Sequence, residues 1–366
     1  MHCASLGEFE QGRPLLEALK AADPGIKIVL SFFSPSGYEV MKDYKGADHI
    51  FYLPMDSPAN AAKFIEAVNP SLVLWVKYEY WFYYLAELKR RNITTILVSG
   101  IFRSNQPFFK WYGSIWKKML GCFTHFFVQH EQSKKLLETI ITTQNITVSG
   151  DTRFDRVAAI AEKFEPIPFI ENFCGDKQVI VAGSTWEEDE VELLHFVKAH
   201  PEIKFIIAPH EIDEENMADV KKEFPGSLFY SELMEAANDQ QTAANVLIID
   251  NIGMLSRLYK YATIAYVGGG FGVDGVHNVL EAAVYGKPVV FGPVYKKYEE
   301  ATGLIAARGG TSIDGLLELE RELNKLLSDT NEQNITGKAA RSFVEANTGA
   351  SATIIRFIQE KRLLTS

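Results

Sequence analysis

Tyr266-Val267-Gly268-Gly269-Gly270-Phe271-Gly272-Val273-Asp274-Gly275-Val276-His277-Asn278-Val279-Leu280-Glu281 joins an apolar run to five glycines and then to a helical pattern expected from His277 onward. A strand, a glycine-rich turn and a helix in that order form the repeating unit of a parallel sheet covered by helices. Glycines let backbone N–H groups approach an anion closely, and a helix N-terminus adds partial positive charge, so this turn suits a phosphate. Asn278 and Glu281 stand three apart on one helical face, where a carboxylate can accept from both hydroxyls of a ribose. A plain strand-to-helix turn with a capping Asn and a solvated Glu would use the same residues, but five glycines exceed what a turn requires. The stretch is not a dinucleotide fingerprint, because G-x-G-x-x-G fits poorly and the loop lies in the second half of the chain.

Outward from this loop, short β-branched runs alternate with amphipathic stretches. Strands are expected at Val179–Ala182, Lys204–Ala208, Val246–Ile249, Ile264–Val267 and Val289–Phe291. An earlier set covers Ile26–Phe33, Asp48–Leu53, Leu72–Val76, Thr95–Ser99, His125–Gln129 and Ile146–Ser149. Beyond Thr311 only helices are expected. Between the sets, Ala161–Lys177 contains Pro166 and Pro168 and reads as a linker, since closely spaced prolines resist a helix. The pattern divides the 366 residues into 1–163, a linker at 164–177, a second α/β domain at 178–350 and a C-terminal helix at 351–366 that packs back on the first domain.

Composition excludes several classes. With 47% apolar and 23% charged residues the chain is neither disordered nor fibrous. A net charge of −10 argues against a general nucleic-acid binder. Cys3, Cys122 and Cys174 are far apart and form no metal or disulfide pattern. D-x-D, H-x-x-x-H and P-loop patterns are missing, so neither a metal nor a cofactor is expected. No apolar run approaches the ~18 residues of a membrane span.

Glu8 in Ser5-Leu6-Gly7-Glu8 opens the amphipathic stretch Phe9–Leu19. Pattern alone leaves it open whether this carboxylate steadies a helix start or takes a proton from an attacking hydroxyl. Gly183-Ser184-Thr185-Trp186-Glu187 reads as a helix N-cap with an acidic first turn, and His210 in Ala208-Pro209-His210-Glu211 ends a strand. Ile101–His125 holds Arg103, Lys110, Lys117 and Lys118 and no acid, interleaved with Phe102, Phe108, Phe109, Trp111, Tyr112, Trp116 and Phe123. That mixture suits a segment lying on an anionic membrane surface. Trp75–Arg91 adds Trp75, Tyr78, Tyr80, Trp81, Phe82, Tyr83 and Tyr84, for which core and surface are both open.

These motifs together resemble the 3-deoxy-D-manno-octulosonic acid (Kdo) transferases of lipopolysaccharide synthesis. Ser5-Leu6-Gly7-Glu8 is similar to S-[VL]-G-E, Glu79-Tyr80-Trp81 to E-x-W, and Gly150-Asp151-Thr152-Arg153-Phe154-Asp155 to G-[ND]-x-[KR]-F-D. Ala182-Gly183-Ser184-Thr185-Trp186-Glu187 is similar to A-G-S-T-H-E, Gly268-Gly269-Gly270 to G-G-S, His277-Asn278-Val279-Leu280-Glu281 to H-N-x-L-E, and Gly286-Lys287-Pro288-Val289-Val290-Phe291-Gly292-Pro293 to G-K-P-V-x-F-G-P. The motifs follow the family's order over nearly the whole chain.

The resemblance implies an α/β chain of the GT-B glycosyltransferase fold, two Rossmann-like domains facing a central cleft. It implies transfer of Kdo from a CMP-Kdo donor to the tetraacylated lipid A precursor, by one inverting displacement and without a metal. Glu8 takes the place of the general base, and Pro209, His210, Ile252, Gly253, Met254, Asn278, Val279, Leu280 and Glu281 take the CMP-binding positions. Arg103, Lys110, Trp111, Trp116, Lys117 and Lys118 would face the acceptor and membrane. The implied setting is peripheral, on the cytoplasmic face of the bacterial inner membrane, and an apolar anchor and first strand usual before S-x-G-E do not precede His2. Two departures stand out: the usual arginine before His210 is replaced, and Trp186 occupies a usual His position. The alternatives are a GT-B enzyme using a UDP-sugar, and a non-catalytic nucleotide-sugar-binding envelope protein.

Overall fold

The computed structural model describes residues 1–77, 79–235 and 243–364, so Tyr78 of the aromatic Trp75–Arg91 stretch lies outside the described residues. The chain forms two compact units, Met1–Arg156 with Asn347–Ser366, and Val157–Ala346.

Seven parallel strands build the first unit: β1 (His2–Cys3), β2 (Val29–Phe32), β3 (His49–Tyr52), β4 (Leu72–Val76), β5 (Thr94–Gly100), β6 (His125–Val128) and β7 (Ile146–Val148), in the order β3-β2-β1-β4-β5-β6-β7. Winding proceeds outward from β1 to β3 and then resumes at β4 on the other side, so the order reverses beside β1. His2 and Cys3, expected to follow no strand, are themselves the central one. Two residues cannot show a period, but His2 pairs with both Ser31 and Trp75. Alternate residues of each strand bury on opposite faces. Leu74, Ile96 and Phe127 join a core containing Phe9, Ile354 and Ile358. Trp75, Leu97 and Phe126 join the other, with Tyr84 and Phe102. Ile354 and Ile358 belong to the helix Ala350–Glu360, whose start is tied down by Asp155, whose carboxylate accepts the Gly349 and Ser351 N–H groups at 2.6 Å each.

The second unit repeats the plan with β8 (Val179–Thr185), β9 (Lys204–Pro209), β10 (Leu228–Phe229), β11 (Val246–Ile248), β12 (Ile264–Val267), β13 (Val289–Phe291) and β14 (Gly310–Ser312), all parallel, in the order β10-β11-β9-β8-β12-β13-β14. Its reversal lies between β8 and β12, where Gly183 pairs with Val267. The helices-only expectation beyond Thr311 fails by one residue at β14, because Ser312 finds a partner in Phe291. Segment 164–177 is not an extended connector either. It contains the helix Ile170–Cys174 and buries Ile167, Ile170 and Phe173 in the second unit, with the Ile167 N–H donating to Tyr261 Oη at 2.8 Å. These apolar side chains outweigh the extended preference of the two prolines.

Candidate functional site

At the reversal of the first sheet, β1 ends at Cys3 and the helix Leu6–Ala22 begins after Ser5. Ser5 makes no side-chain cap; Glu8, third in the helix, folds back so that its Oε2 accepts the Ala4 N–H. The Ala4 N–H, in the turn before the helix, thereby gains a partner, and the carboxylate is fixed at the carboxyl end of the sheet. Glu8 is 8% exposed.

The other motifs of this unit converge on the same edge. His2 is buried, with Nδ1 3.0 Å from Ser31 Oγ and its ring 4.5 Å from Trp75; burial lowers its affinity for a second proton. Glu79 lies beyond β4, 3.9 Å from His2 Nε2, and accepts from Trp81 Nε1 at 3.0 Å, while Trp75 Nε1 donates to the Glu79 carbonyl at 2.6 Å. Beyond β7, burial opposes the charge on Asp151, but Arg153 at 2.7 Å and nearby Lys77 outweigh it and hold the carboxyl below its usual range. Thr152 Oγ1 donates to the Gln11 carbonyl at 2.7 Å, which joins this loop to the helix that carries Glu8.

In the second unit, β8 bulges before its end: Ser184 takes a left-handed φ of 53° and the register shifts between Gly183 and Thr185. Trp186 emerges beside the end of β9, its ring 4.6 Å from His210, which lies 4.4 Å from His277; the three rings form one stack. Trp186 Nε1 donates to His277 Nε2 at 2.9 Å. Burial, with His210 adding to it and Asp274 opposing, pushes the His277 imidazole down to about 4.

Asp189 organises this edge and is not apparent as a site residue from sequence pattern. It is fully buried, Oδ2 accepts the Gly269 N–H at 2.7 Å and the Trp186 N–H at 3.0 Å, and Oδ1 accepts from Tyr266 Oη at 2.7 Å. Burial raises its carboxyl. The available signal is position: Asp189 is third in the helix Glu187–Ala199, as Glu8 is in its own helix, where a carboxylate can reach back to the strand's end.

The glycine loop differs from expectation. The N–H groups of Gly268, Gly269, Gly272 and Gly275 are taken by Gly183 O, Asp189 Oδ2, Gly269 O and Gly272 O, so they do not cradle a phosphate. A Cβ on Gly270 would stand 2.5 Å from Gly292 N, so this glycine serves a close backbone crossing. The helix begins at Leu280, not His277, because the His277 N–H closes the loop on Gly268 O. Asn278 Oδ1 accepts the Leu280 N–H at 3.2 Å and Nδ2 donates to Glu281 Oε1 at 3.1 Å, which joins the two polar candidates. Val279 and Leu280 are core residues, so any ligand meets only their backbone. Pro209 is buried at the end of β9. Beyond β11, Ile252 is 82% exposed, Gly253 has φ 98° and Met254 is buried against the unit.

Ile101–His125 divides between core and surface. Phe102, Phe108 and Phe123 are buried, with Phe108 edge-on to Phe102 and Tyr80, and Phe109 and Trp116 pack partly on the same core. Trp111, 94% exposed, projects outward with Tyr112, Ile115, Arg103, Lys117 and Lys118, and Lys110 is half-buried. Of Trp75–Arg91, Trp75 and Tyr84 are core and Tyr83 is exposed. Among the described residues no helix is long and apolar enough to cross a membrane.

Comparison with known proteins bears on these motifs. The family model described as "3-Deoxy-D-manno-octulosonic-acid transferase (kdotransferase)" matches residues 1–156. A 3-deoxy-D-manno-octulosonic acid transferase of Aquifex aeolicus is 27% identical over 347 residues, covering 93% of this chain and 88% of that protein. A bifunctional glycosyltransferase/methyltransferase of Fusobacterium nucleatum is 26% identical across 97% of this chain, which spans only 56% of that longer protein. In structure, the UDP-GlcNAc 2-epimerase of Neisseria meningitidis superposes with a TM-score of 0.68 at 16% identity, covering 98% of each chain, and shares the paired doubly wound units of the GT-B fold. The chain has the GT-B fold, its residues 1–156 match the Kdo transferase family model, and Kdo transferases match it at about 25% identity over most of its length.

Proposed function

We propose that this protein transfers Kdo from CMP-Kdo to a hydroxyl of the tetraacylated lipid A precursor, with Glu8 as general base and no metal ion. The reading rests on the placement of Glu8, a carboxylate held by the Ala4 N–H at the carboxyl end of β1, where a doubly wound sheet presents its ligands. The named relatives support the sugar that is moved. In this reading Glu8 accepts the acceptor's hydroxyl proton as its oxygen bonds to the anomeric carbon. The bond from that carbon to the CMP phosphate breaks, and CMP departs with the electron pair. Pro209, His210, Ile252, Gly253, Met254 and Asn278–Glu281 hold the nucleotide. The face around exposed Arg103, Trp111, Lys117 and Lys118, with half-buried Lys110 and Trp116, rests on anionic lipid at the cytoplasmic face of the inner membrane.

Glu8→Gln tests this. With CMP-Kdo and the tetraacylated precursor, product read by mass spectrometry should fall by about 100-fold or more, while thermal stabilisation by CMP is kept. A folded variant turning over at the wild-type rate would remove the general base. Stabilisation by UDP rather than CMP would replace the donor.

A further inference from the structure

Trp186 stands where related motifs carry a histidine, and its chemistry differs in one respect that matters to its neighbour. An indole N–H only donates, so the 2.9 Å contact from Trp186 Nε1 obliges His277 Nε2 to accept. An imidazole that accepts on Nε2 and is neutral carries its proton on Nδ1. The Nε2 edge is also walled in: a Cβ on Gly269 would lie 2.6 Å from His277 Cδ2 and 3.1 Å from Nε2. On the opposite edge Nδ1 has no hydrogen-bond partner among the described residues and is not among the buried unpaired atoms. His210 stacks on the same ring and adds no proton acceptor to it, and Asp274 is the carboxylate whose charge reaches it.

We propose that Trp186 is a positioning residue that locks His277 as the neutral, Nδ1-protonated tautomer, so that the second unit offers one uncharged N–H donor to an oxygen acceptor of the bound nucleotide. The inference rests on the reading of this unit as the nucleotide-binding one. Trp186 holds the proton's address, and the stack with His210 holds the ring plane. The lock also keeps recognition insensitive to pH, since adding a proton at Nε2 requires breaking the indole bond.

Side-chain nitrogen NMR of histidine-labelled wild-type protein, titrated between about pH 5 and 8, reads the tautomer directly. The expected His277 signature is Nδ1–H throughout, and the wild-type CMP affinity at each pH is the reference for the variant. In Trp186→Phe, which keeps a ring in the stack, His277 should populate both tautomers and gain a proton more readily. CMP affinity should then drop about 3- to 10-fold at pH 8, the worth of one neutral hydrogen bond, and recover toward pH 6 as the imidazolium donates from both nitrogens. Wild-type His277 protonated on Nε2, or a tautomer unchanged in Trp186→Phe, overturns the proposal even if Trp186→Phe is poorly folded, since the first measurement needs no variant. If the tautomer behaves as expected but CMP binds neither protein, the lock stands and the nucleotide reading of the unit fails.

Discussion

Glu190 offers the sharpest test of how the second unit balances its buried acids. It is 3% exposed, and its carboxyl group accepts from Thr185 Oγ1 at 2.7 Å. Burial, reinforced by Glu223, Asp189 and Glu187 and only partly offset by Thr185, pushes its carboxyl from 4.5 up to about 7. At ~1.4 kcal/mol for each tenfold change, ionising it in the folded unit costs about 3 kcal/mol more than in the unfolded chain. The folded-state value is the raised one, so the folded protein keeps a proton that the unfolded chain has released. Stability therefore falls as pH rises from about 4.5 to about 7 and stays low above that. Glu190→Gln is neutral at every pH and still accepts from Thr185. Urea unfolding followed by circular dichroism should find the two proteins similar near pH 5 and the variant more stable by about 3 kcal/mol near pH 8. A difference that does not change across that range would refute the reasoning.

Asp189→Ala strands the Gly269 and Trp186 N–H groups and Tyr266 Oη; at about 1–3 kcal/mol for each of the three orphaned buried donors it should cost roughly 3–9 kcal/mol of unfolding free energy, and a loss under ~1 kcal/mol would show that the donors find other acceptors. Gly270→Ala forces a Cβ to within 2.5 Å of Gly292 N, whereas the same change at Gly272 meets nothing nearer than 3.6 Å. The first should destabilise by about 1–3 kcal/mol and the second by under ~0.5 kcal/mol, and equal effects would refute the crossing argument. Replacing Lys110, Lys117 and Lys118 together with Ser should weaken sedimentation with anionic vesicles more at low salt than at high; unchanged binding would exclude that face from the membrane.

Legibility followed burial. Leu72–Val76 and the Phe126–Val128 part of His125–Val128 are legible in the sequence because strands covered on both faces are apolar without interruption. His2–Cys3 and Gly310–Ser312 could not, since two or three residues carry no pattern and their strand character comes from neighbours far along the chain. Glu8 was legible as a helix-start carboxylate but not as one bonded to Ala4. Five glycines in sixteen residues suggest a phosphate cradle, but the N–H groups of Gly268 and Gly269 go to Gly183 and Asp189, those of Gly272 and Gly275 go to the loop's own carbonyls, and Gly270 permits a close backbone crossing. Asp189 is hidden in the run Glu187–Glu190, because only the tertiary fold distinguishes the acid that turns inward to Gly269 from Glu187 and Glu188, which face solvent, and from Glu190, which is buried against Thr185.

The grip of Asp155 on Gly349 and Ser351 has a consequence for how the protein is made. Residues 157–346 are contiguous, whereas the first unit is split and takes Ile354 and Ile358 into a core begun by Cys3 and Phe9. On the ribosome the second unit can therefore complete its sheet while the first still waits, one flank of its core uncovered, for the last helix to emerge. The part synthesised first is the part finished last, and the two hydrogen bonds that Asp155 accepts mark the moment of closure.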